Sequence, residues 1–304
     1  MSWFLITLIG PLLYAMTNHI DKFLLSKYFK EGGVGTLILF SSLLSAISLP
    51  FIYIQSTGSL LIEPLNAVIM CVVGLLNIGV LWFYLLALDQ DEASTIIVFY
   101  QLVPVFAYML GYILLGETLT TIQLLAMAII IFGATIISFE LGEERKLQLK
   151  FATVFYMICA CLCWAAGSVI FKYVALEETI WNTLFWEYIM LTLVGIVIFV
   201  FVKDYRHHFL TALRTNSGPI ISLNILNEVL FIAGNLVFSF SYMLAPIALV
   251  LLVGSFQPFF VLMIGITLTL LFPKISKEKI TTAHLTQKII AILVTSFGTY
   301  LLFM

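Results

Sequence analysis

Long apolar runs separated by short polar segments follow one another along almost the whole chain. Each is long enough to cross a hydrocarbon core about 30 Å thick, since an α-helix rises about 1.5 Å per residue. The ten runs occupy residues 3–26, 34–54, 65–88, 93–115, 119–139, 151–173, 181–202, 217–242, 246–272 and 284–303. This pattern predicts an all-α membrane protein with ten transmembrane helices embedded in a lipid bilayer.

The composition excludes a water-soluble protein and narrows the function classes. Charged residues make up 10% of the 304 residues and the mean hydropathy is +1.13, whereas soluble domains carry about 25% charged residues. No basic cluster suggests a nucleic-acid partner. The chain has no Gly-rich phosphate loop, no HExxH pair and no GxSxG elbow, so we expect neither an enzyme nor a bound metal or cofactor.

The basic residues are distributed unevenly among the connections between spans. All but one of the 14 lysines and arginines lie at odd-numbered connections, and the exception is Lys172. The odd-numbered group is Lys22, Lys27, Lys30, Arg145, Lys146, Lys150, Lys203, Arg206, Arg214, Lys274, Lys277, Lys279 and Lys288. Because basic residues near short loops are retained in the cytoplasm, these connections are predicted to be cytoplasmic and both termini extracytoplasmic.

The two halves of the chain resemble each other. Residues 13–22 align with 163–172 at a spacing of 150, and Pro104 and its neighbours align with Pro258. An odd number of spans per half requires the second half to insert upside down, as in many secondary transporters. The sequence therefore predicts two inverted five-helix repeats, residues 1–142 and 151–304, joined by a loop at 143–150.

Five segments carry a resemblance to a known family: 14–22, 164–172, 87–94, Pro104 and 115–120. In these segments the chain resembles the EamA-type, ten-span members of the drug/metabolite transporter superfamily. The resemblance implies a multi-pass secondary transporter of the bacterial cytoplasmic membrane. Two features depart from the family: repeat two lacks the Gly-Glu turn, and the family keeps its termini in the cytoplasm, opposite to the charge distribution.

Glu228 and Glu187 are acidic residues inside predicted spans, where a charge costs about 2.5 to 3.5 kcal/mol and is expected to face a cavity, a partner or a proton. Glu228 is near the midplane, on a polar stripe with Asn224, Asn227 and Asn235 at steps of three, four or seven. Glu187 lies between Trp186 and Tyr188. An acid flanked by aromatic rings is suited to binding an amine. The alternatives to a binding role are hydrogen bonding between helices for the polar stripe and snorkelling to the interface for Glu187.

The first span of each repeat places an aromatic, a polar and a basic residue on one face: Tyr14, Asn18 and Lys22, and Trp164, Ser168 and Lys172. Lys22 is suited to anchoring at the cytoplasmic interface. Lys172 lies on the opposite side and is the better functional candidate. Its expected partners are Glu187, Glu228, an anionic substrate group, or Glu177 and Glu178 at the surface.

The remaining candidates line the predicted cavity from the first repeat or bend its helices. Pro104 and Pro258 are predicted to lie mid-span, where each frees a carbonyl and marks a gate. Gln101, Pro104 and Tyr108 share one face, as do Asn77 and Tyr84. Asp21 with His19 forms a second hypothetical proton-sensitive group.

These observations favour a secondary transporter of a small organic metabolite, with a weak preference for a cationic or zwitterionic amine and with protons as the candidate coupling ion. A lipid-headgroup or polyprenyl-linked flippase and a membrane-embedded enzyme are the alternatives. Substrate identity, direction and assembly as a monomer or homodimer stay open.

Overall fold

The computed structural model describes residues 2–28, 33–56, 60–90, 98–138, 151–215, 217–271 and 282–304, and within these ranges the regular structure is helical, with no strand. The α-helices in these ranges are α1 (Ser2–Thr7), α2 (Ile9–Lys27), α3 (Gly33–Leu44), α4 (Ser48–Gln55), α5 (Pro64–Gln90), α6 (Val103–Leu115), α7 (Thr121–Ser138), α8 (Phe151–Glu177), α9 (Ile180–Phe201), α10 (Lys203–Thr215), α11 (Ser217–Tyr242), α12 (Ile247–Val253), α13 (Gln257–Leu271) and α14 (Thr282–Leu302). Short 3₁₀ segments at Ser45–Ile47, Val98–Leu102 and Gly254–Phe256 precede α4, α6 and α13.

Seven helical stretches in the described ranges are long and apolar enough to cross a membrane. They are Ser2–Leu24, Gly35–Gln55, Pro64–Ala87, Phe151–Glu177, Ile180–Phe201, Gly218–Tyr242 and Ile247–Leu271. Three shorter apolar stretches, Phe99–Leu115, Thr121–Ile136 and Ile289–Leu302, coincide with the other predicted spans. The chain is an all-helical, multi-pass membrane protein, and the count of ten spans stays a prediction. The predicted loop at 143–150 lies outside the described residues.

Pro258 lies in the middle of the stretch Ile247–Leu271, as predicted, but both prolines occupy the first turn of an α-helix and do not kink a continuous one. Pro104 follows the 3₁₀ segment Val98–Leu102 and occupies the first turn of α6. Pro258 is the second residue of α13, directly after the 3₁₀ segment Gly254–Phe256. A first-turn N–H has no intrahelical partner, so proline removes no hydrogen bond there. The breaks at these two places are therefore 3₁₀ segments, with proline fixing where the α-helix resumes.

Helices from the two halves of the chain pack against each other in matching pairs. The most extensive contacts join α5 to α8, α7 to α14, and α2 to α11. The α7–α14 pair approaches at Gly133 and Gly298, where an added Cβ would lie 3.0 Å from the Thr295 nitrogen and 3.1 Å from the Ile130 nitrogen. Glycine is required at these positions because the partner helix's backbone occupies the space of a side chain.

An amphipathic helix, α10, connects two of the spans at a predicted cytoplasmic connection. Its buried Phe209 packs against Phe40 of α3 at a ring-centroid distance of 4.6 Å, while Lys203 and Asp204 are exposed. Arg206 donates to the Val200 carbonyl at 3.0 Å, near the end of α9. The helix therefore lies against the bundle with its charged face outward, an arrangement suited to a membrane interface.

Candidate functional site

Glu187 lies at the centre of a buried polar group, which we call the Glu187 centre, between α5, α9 and α11. The Glu187 side chain is buried, and its Oε1 accepts a hydrogen bond from Asn77 Nδ2 at 2.6 Å. Its Oε2 is buried without a hydrogen-bond partner among the described residues. Asn235 donates from α11 to the Tyr188 hydroxyl at 3.0 Å. Thus Asn77 fixes one carboxylate oxygen. The other makes no hydrogen bond of normal geometry among the described residues, although Asn235 also interacts with the carboxyl group.

Aromatic rings surround the Glu187 centre. Tyr14 of α2 stacks on Phe231 and Phe238 of α11, with ring centroids 5.4 and 5.5 Å apart. The hydroxyls of Tyr14, Tyr188 and Tyr242 interact electrostatically with Glu187. Tyr242 also donates to Ser168 Oγ at 3.1 Å. These residues form an aromatic wall near the acid, with its tyrosines drawn from three helices.

Glu228 belongs to a second polar group, the Asp21–Glu228 centre, formed by α2, α3 and α11. Ser41 Oγ donates to Glu228 Oε2 at 2.8 Å, and Asn227 Nδ2 donates to Asp21 Oδ1 at 2.7 Å. Asn227 Oδ1 is buried without a partner among the described residues. The two carboxyl groups interact electrostatically, and Asp21 also interacts with Tyr84. The structure therefore joins Glu228 and Asn227 to Asp21, which the sequence placed in a separate group.

A small cavity adjoins the aromatic wall on the side of α6 and α12. It measures about 20 Å³ and is lined by Tyr100, Gln101, Val103, Trp164, Leu251, Gly254 and Gln257. The rings of Trp164 and Tyr100 pack edge-to-face with their centroids 5.3 Å apart, and the ring centroids of Tyr100 and Tyr84 are 5.8 Å apart. Gln101 Oε1 is buried without a partner among the described residues. This volume holds about one water molecule, far less than an organic metabolite needs.

Lys172 has a different partner from those expected. Its ammonium pairs with Glu117 and donates to the Ala245 carbonyl at 2.8 Å. The other Glu117 oxygen accepts from the Ile247 N–H at the start of α12, at 2.7 Å. Glu177 and Glu178 bond instead to Asn66 Nδ2, at 3.2 and 3.1 Å. The expected pairing of Lys172 with Glu187, Glu228, Glu177 or Glu178 is therefore wrong.

These contacts close the even-numbered connections over the aromatic wall. The Glu63 N–H donates to Glu178 Oε1 at 2.9 Å, and Trp186 Nε1 donates to the Leu60 carbonyl at 3.0 Å. With the Lys172–Glu117 pair they tie the second, fourth, sixth and eighth connections to neighbouring helices. Contacts among the described residues therefore link the four connections on the side predicted to be extracytoplasmic.

Three further predicted site residues join neither a centre nor the small cavity. Asn224 donates to the Ile220 carbonyl of its own helix at 2.8 Å. Tyr108 packs in an apolar cluster with α7, α12 and α14, which corrects its assignment to one cavity-lining face with Gln101. Asn18 is half-buried on α2. Tyr108 was misplaced because the 3₁₀ segment before α6 alters the helical phase relative to Gln101.

Ser41 and Glu117 are contact residues that the prediction left out, whereas Tyr188 and Tyr242 had been noticed in the sequence but not chosen as site residues. Tyr188 follows Glu187, and Tyr242 closes the polar stripe of α11. These two carried a signal, since buried tyrosine hydroxyls require partners. Ser41 and Glu117 carried none, because their partners are distant in sequence.

A family model and solved structures match this chain. Residues 1–139 match the model of the EamA-like transporter family. A solved structure described as "Crystal structure of protein" superposes with a TM-score of 0.63 over 99% of this chain and 96% of that chain, at 14% sequence identity. At this identity the likeness concerns the fold alone. No curated protein matches.

Proposed function

We propose that this chain, whose residues 1–139 match the model of the EamA-like transporter family, is a ten-span, secondary-active transporter of a small organic metabolite carrying a protonated amine. The observation that carries the substrate class is Glu187 Oε2, which is buried beside the aromatic wall with no cationic partner in the described ranges. In this proposal Glu187 binds the ammonium group of the substrate.

The chemistry of the Glu187 centre favours a cation over an anion or a neutral solute. An ammonium group would pair with Glu187 Oε2 and lie against the face of Tyr14 or Tyr188, where cation–π attraction is worth about 0.5 to 2 kcal/mol. Asn77 would keep the carboxylate oriented by its bond to Oε1. An anion would meet an acid with no basic residue beside it in the described part of the chain.

Alternating access follows from the lack of space. The small cavity beside Trp164 holds about one water molecule, so helices must separate for a substrate to reach Glu187. The linked even-numbered connections make this a state closed to the predicted outside. We propose that the two halves rock about the Glu187 centre, with the 3₁₀ segments before Pro104 and Pro258 as the bending points.

The matched helix pairs support the inverted-repeat arrangement in this proposal. Under an exchange of the two halves, α5 on α8 corresponds to α11 on α2, and α7 on α14 corresponds to itself. Asn77 and Asn227, 150 positions apart, each donate to a carboxylate on a neighbouring helix. Two copies of one ancestral unit would be expected to retain the same asparagine-to-carboxylate hydrogen bond on related spans.

A binding screen on the purified full-length protein tests the substrate class. Amines, amino acids, nucleosides and carboxylates are added singly, and thermal unfolding is followed, because a ligand of the folded state raises its stability by RT ln(1 + [L]/Kd). We expect amines to raise the unfolding temperature of the wild type. A Glu187→Gln variant should bind the same amine about 10- to 100-fold more weakly, as for loss of a charged hydrogen bond of about 1.5 to 3 kcal/mol.

Glu63→Gln is the matched control. The Glu63 side chain is exposed, and the residue's contact with Glu178 is made by its backbone N–H, which the substitution keeps. It should respond to amines as the wild type does. Uptake of the best amine into sealed vesicles then tests transport without chemical change. Stabilisation by carboxylates alone, or an unchanged amine affinity in Glu187→Gln, would remove the substrate class from this proposal.

A further inference from the structure

The Asp21–Glu228 centre contains more acceptor oxygens than donors. Asp21 and Glu228 bring two carboxyl groups from α2 and α11, and Asn227 presents an amide oxygen that is buried and unpartnered among the described residues. The donors bonded to the carboxylates are the Asn227 amide and the Ser41 hydroxyl. An unpaired buried acceptor is costly, so this centre is short of a donor or a positive charge.

The surroundings do not supply that charge in the described ranges. Lys22 is exposed, and His19 is bonded through Nε2 to the Val261 carbonyl of α13 at 2.9 Å. Tyr84 of α5 interacts with Asp21, and Ser41 is the polar contact from α3. The ion pair of the described residues, Lys172 with Glu117, belongs to the opposite side of the bundle. Two interacting carboxyl groups therefore have no countercharge among the residues that the structure describes.

We propose that Asp21, Asn227, Glu228 and Ser41 form a binding site for one small monovalent cation, filled by a proton or by Na⁺. Carboxylate, amide and hydroxyl oxygens are the ligands that hard cations and protons prefer. A cation there would neutralise the repulsion between the carboxyl groups and satisfy the unpartnered oxygen of Asn227.

The position of this centre gives the cation a mechanical consequence. It lies between α2 and α3 of the first half and α11 of the second half, and α11 also supplies Asn235 to the Glu187 centre. Binding of a cation would draw the two halves together at Asp21 and Glu228 while the amine occupies Glu187. The role as coupling ion rests on the proposed transport function, whereas cation binding itself does not.

The test uses the purified full-length protein without substrate, and the probes are Na⁺ and protons. In weakly buffered solution, adding NaCl is expected to release about one proton per wild-type protein and to raise its thermal unfolding temperature; N-methylglucamine chloride controls for ionic strength. Asp21→Asn and Glu228→Gln should lose both responses. Asp204→Asn should keep them, since Asp204 is exposed on α10.

The arms of this experiment separate the two cations. If Na⁺ releases nothing, but the wild type binds about one proton more than Asp21→Asn or Glu228→Gln on mild acidification, the site holds a proton. If neither Na⁺ nor acidification distinguishes the wild type from these variants, the site does not exist. An amine response without a cation response would overturn this inference alone, and the reverse would overturn only the proposed substrate.

Ser41→Ala keeps the inference testable if a carboxyl variant does not fold. It removes the hydroxyl that donates to Glu228 and leaves both carboxyl groups in place. We expect the apparent affinity of this variant for the cation to change roughly ten-fold, the effect of losing one hydrogen bond to a charged group. An unchanged affinity in Ser41→Ala would contradict the assignment of Ser41 to the site.

Discussion

Lys172 and Glu117 form a buried ion pair whose side chains are 8% and 19% exposed. Glu117 also holds the first N–H of α12, and Lys172 also holds the Ala245 carbonyl. Each charge therefore has its partner and at least one further hydrogen bond. Removing one partner leaves the other charge buried and unpaired, a change that costs about 3 to 5 kcal/mol.

We therefore expect Lys172→Met to lower the thermal unfolding temperature strongly, and Glu117→Gln to do so less, since an amide still accepts from the Ile247 N–H. The double variant should be more stable than Lys172→Met alone, because it removes the unpaired carboxylate. Thermal unfolding of the four proteins forms a double-mutant cycle. Additive losses in the double variant would mean that the two side chains do not interact.

At the level of single residues, the sequence indicated which side chains are buried better than it indicated their partners. Glu187, Asn77 and Asn235 were predicted site residues, and the structure places them together, because a polar residue inside a span has few ways to be satisfied. The partner of Lys172 could not be found from spacing. Glu117 lies 55 residues away on another connection, and the contact depends on how α6 and α8 pack.

Helix pairing depends on glycines where backbones approach closely. In the α7–α14 pair, a Cβ on Gly133 would lie 3.0 Å from the Thr295 nitrogen and 3.2 Å from the Ala291 carbonyl oxygen. Backbone atoms cannot rotate away as a flexible side chain can, so the helices themselves would have to separate. Small residues at such positions are the usual means of tight helix contact in membranes.

Gly133→Ala is therefore expected to destabilise the protein by about 1 to 3 kcal/mol, the usual range for overpacking. Gly218→Ala is the matched control, because a Cβ there would meet nothing within 4 Å. That control should be neutral or slightly stabilising. Both are compared with the wild type by thermal unfolding. Equal stability of the Gly133→Ala protein and the wild type would show that α7 and α14 have room to separate.

At the level of elements, length and hydropathy located the helices, and proline was misleading. The stretches from Ser2 to Leu24 and from Gly218 to Tyr242 agree closely with the predicted spans. Pro104 and Pro258 suggested kinks within continuous helices, but each follows a 3₁₀ segment and starts a new α-helix. The sequence shows where a proline interrupts the helical hydrogen bonding. It does not show whether the proline lies within a kinked helix or at the start of a new one.

The orientation of the whole molecule decides which compartment the linked connections face. The charge distribution predicts that both termini and the Lys172–Glu117 pair lie outside, because all the lysines and arginines except Lys172 lie at the odd-numbered connections. The family resemblance implies the opposite. Under the charge-based orientation, the proposed state is closed to the outside, and the Asp21–Glu228 centre lies nearer the cytoplasm than the Glu187 centre does.

We expect cysteines introduced by Ser2→Cys and after Met304 to react with an impermeant maleimide on intact cells, in a background from which the four native cysteines have been removed. Asp204→Cys, on the exposed face of α10, is the control and should react only after permeabilisation. The reverse pattern at all three positions would mean that the family orientation applies. The Lys172–Glu117 pair would then face the cytoplasm, and the proposed state would be closed to the inside.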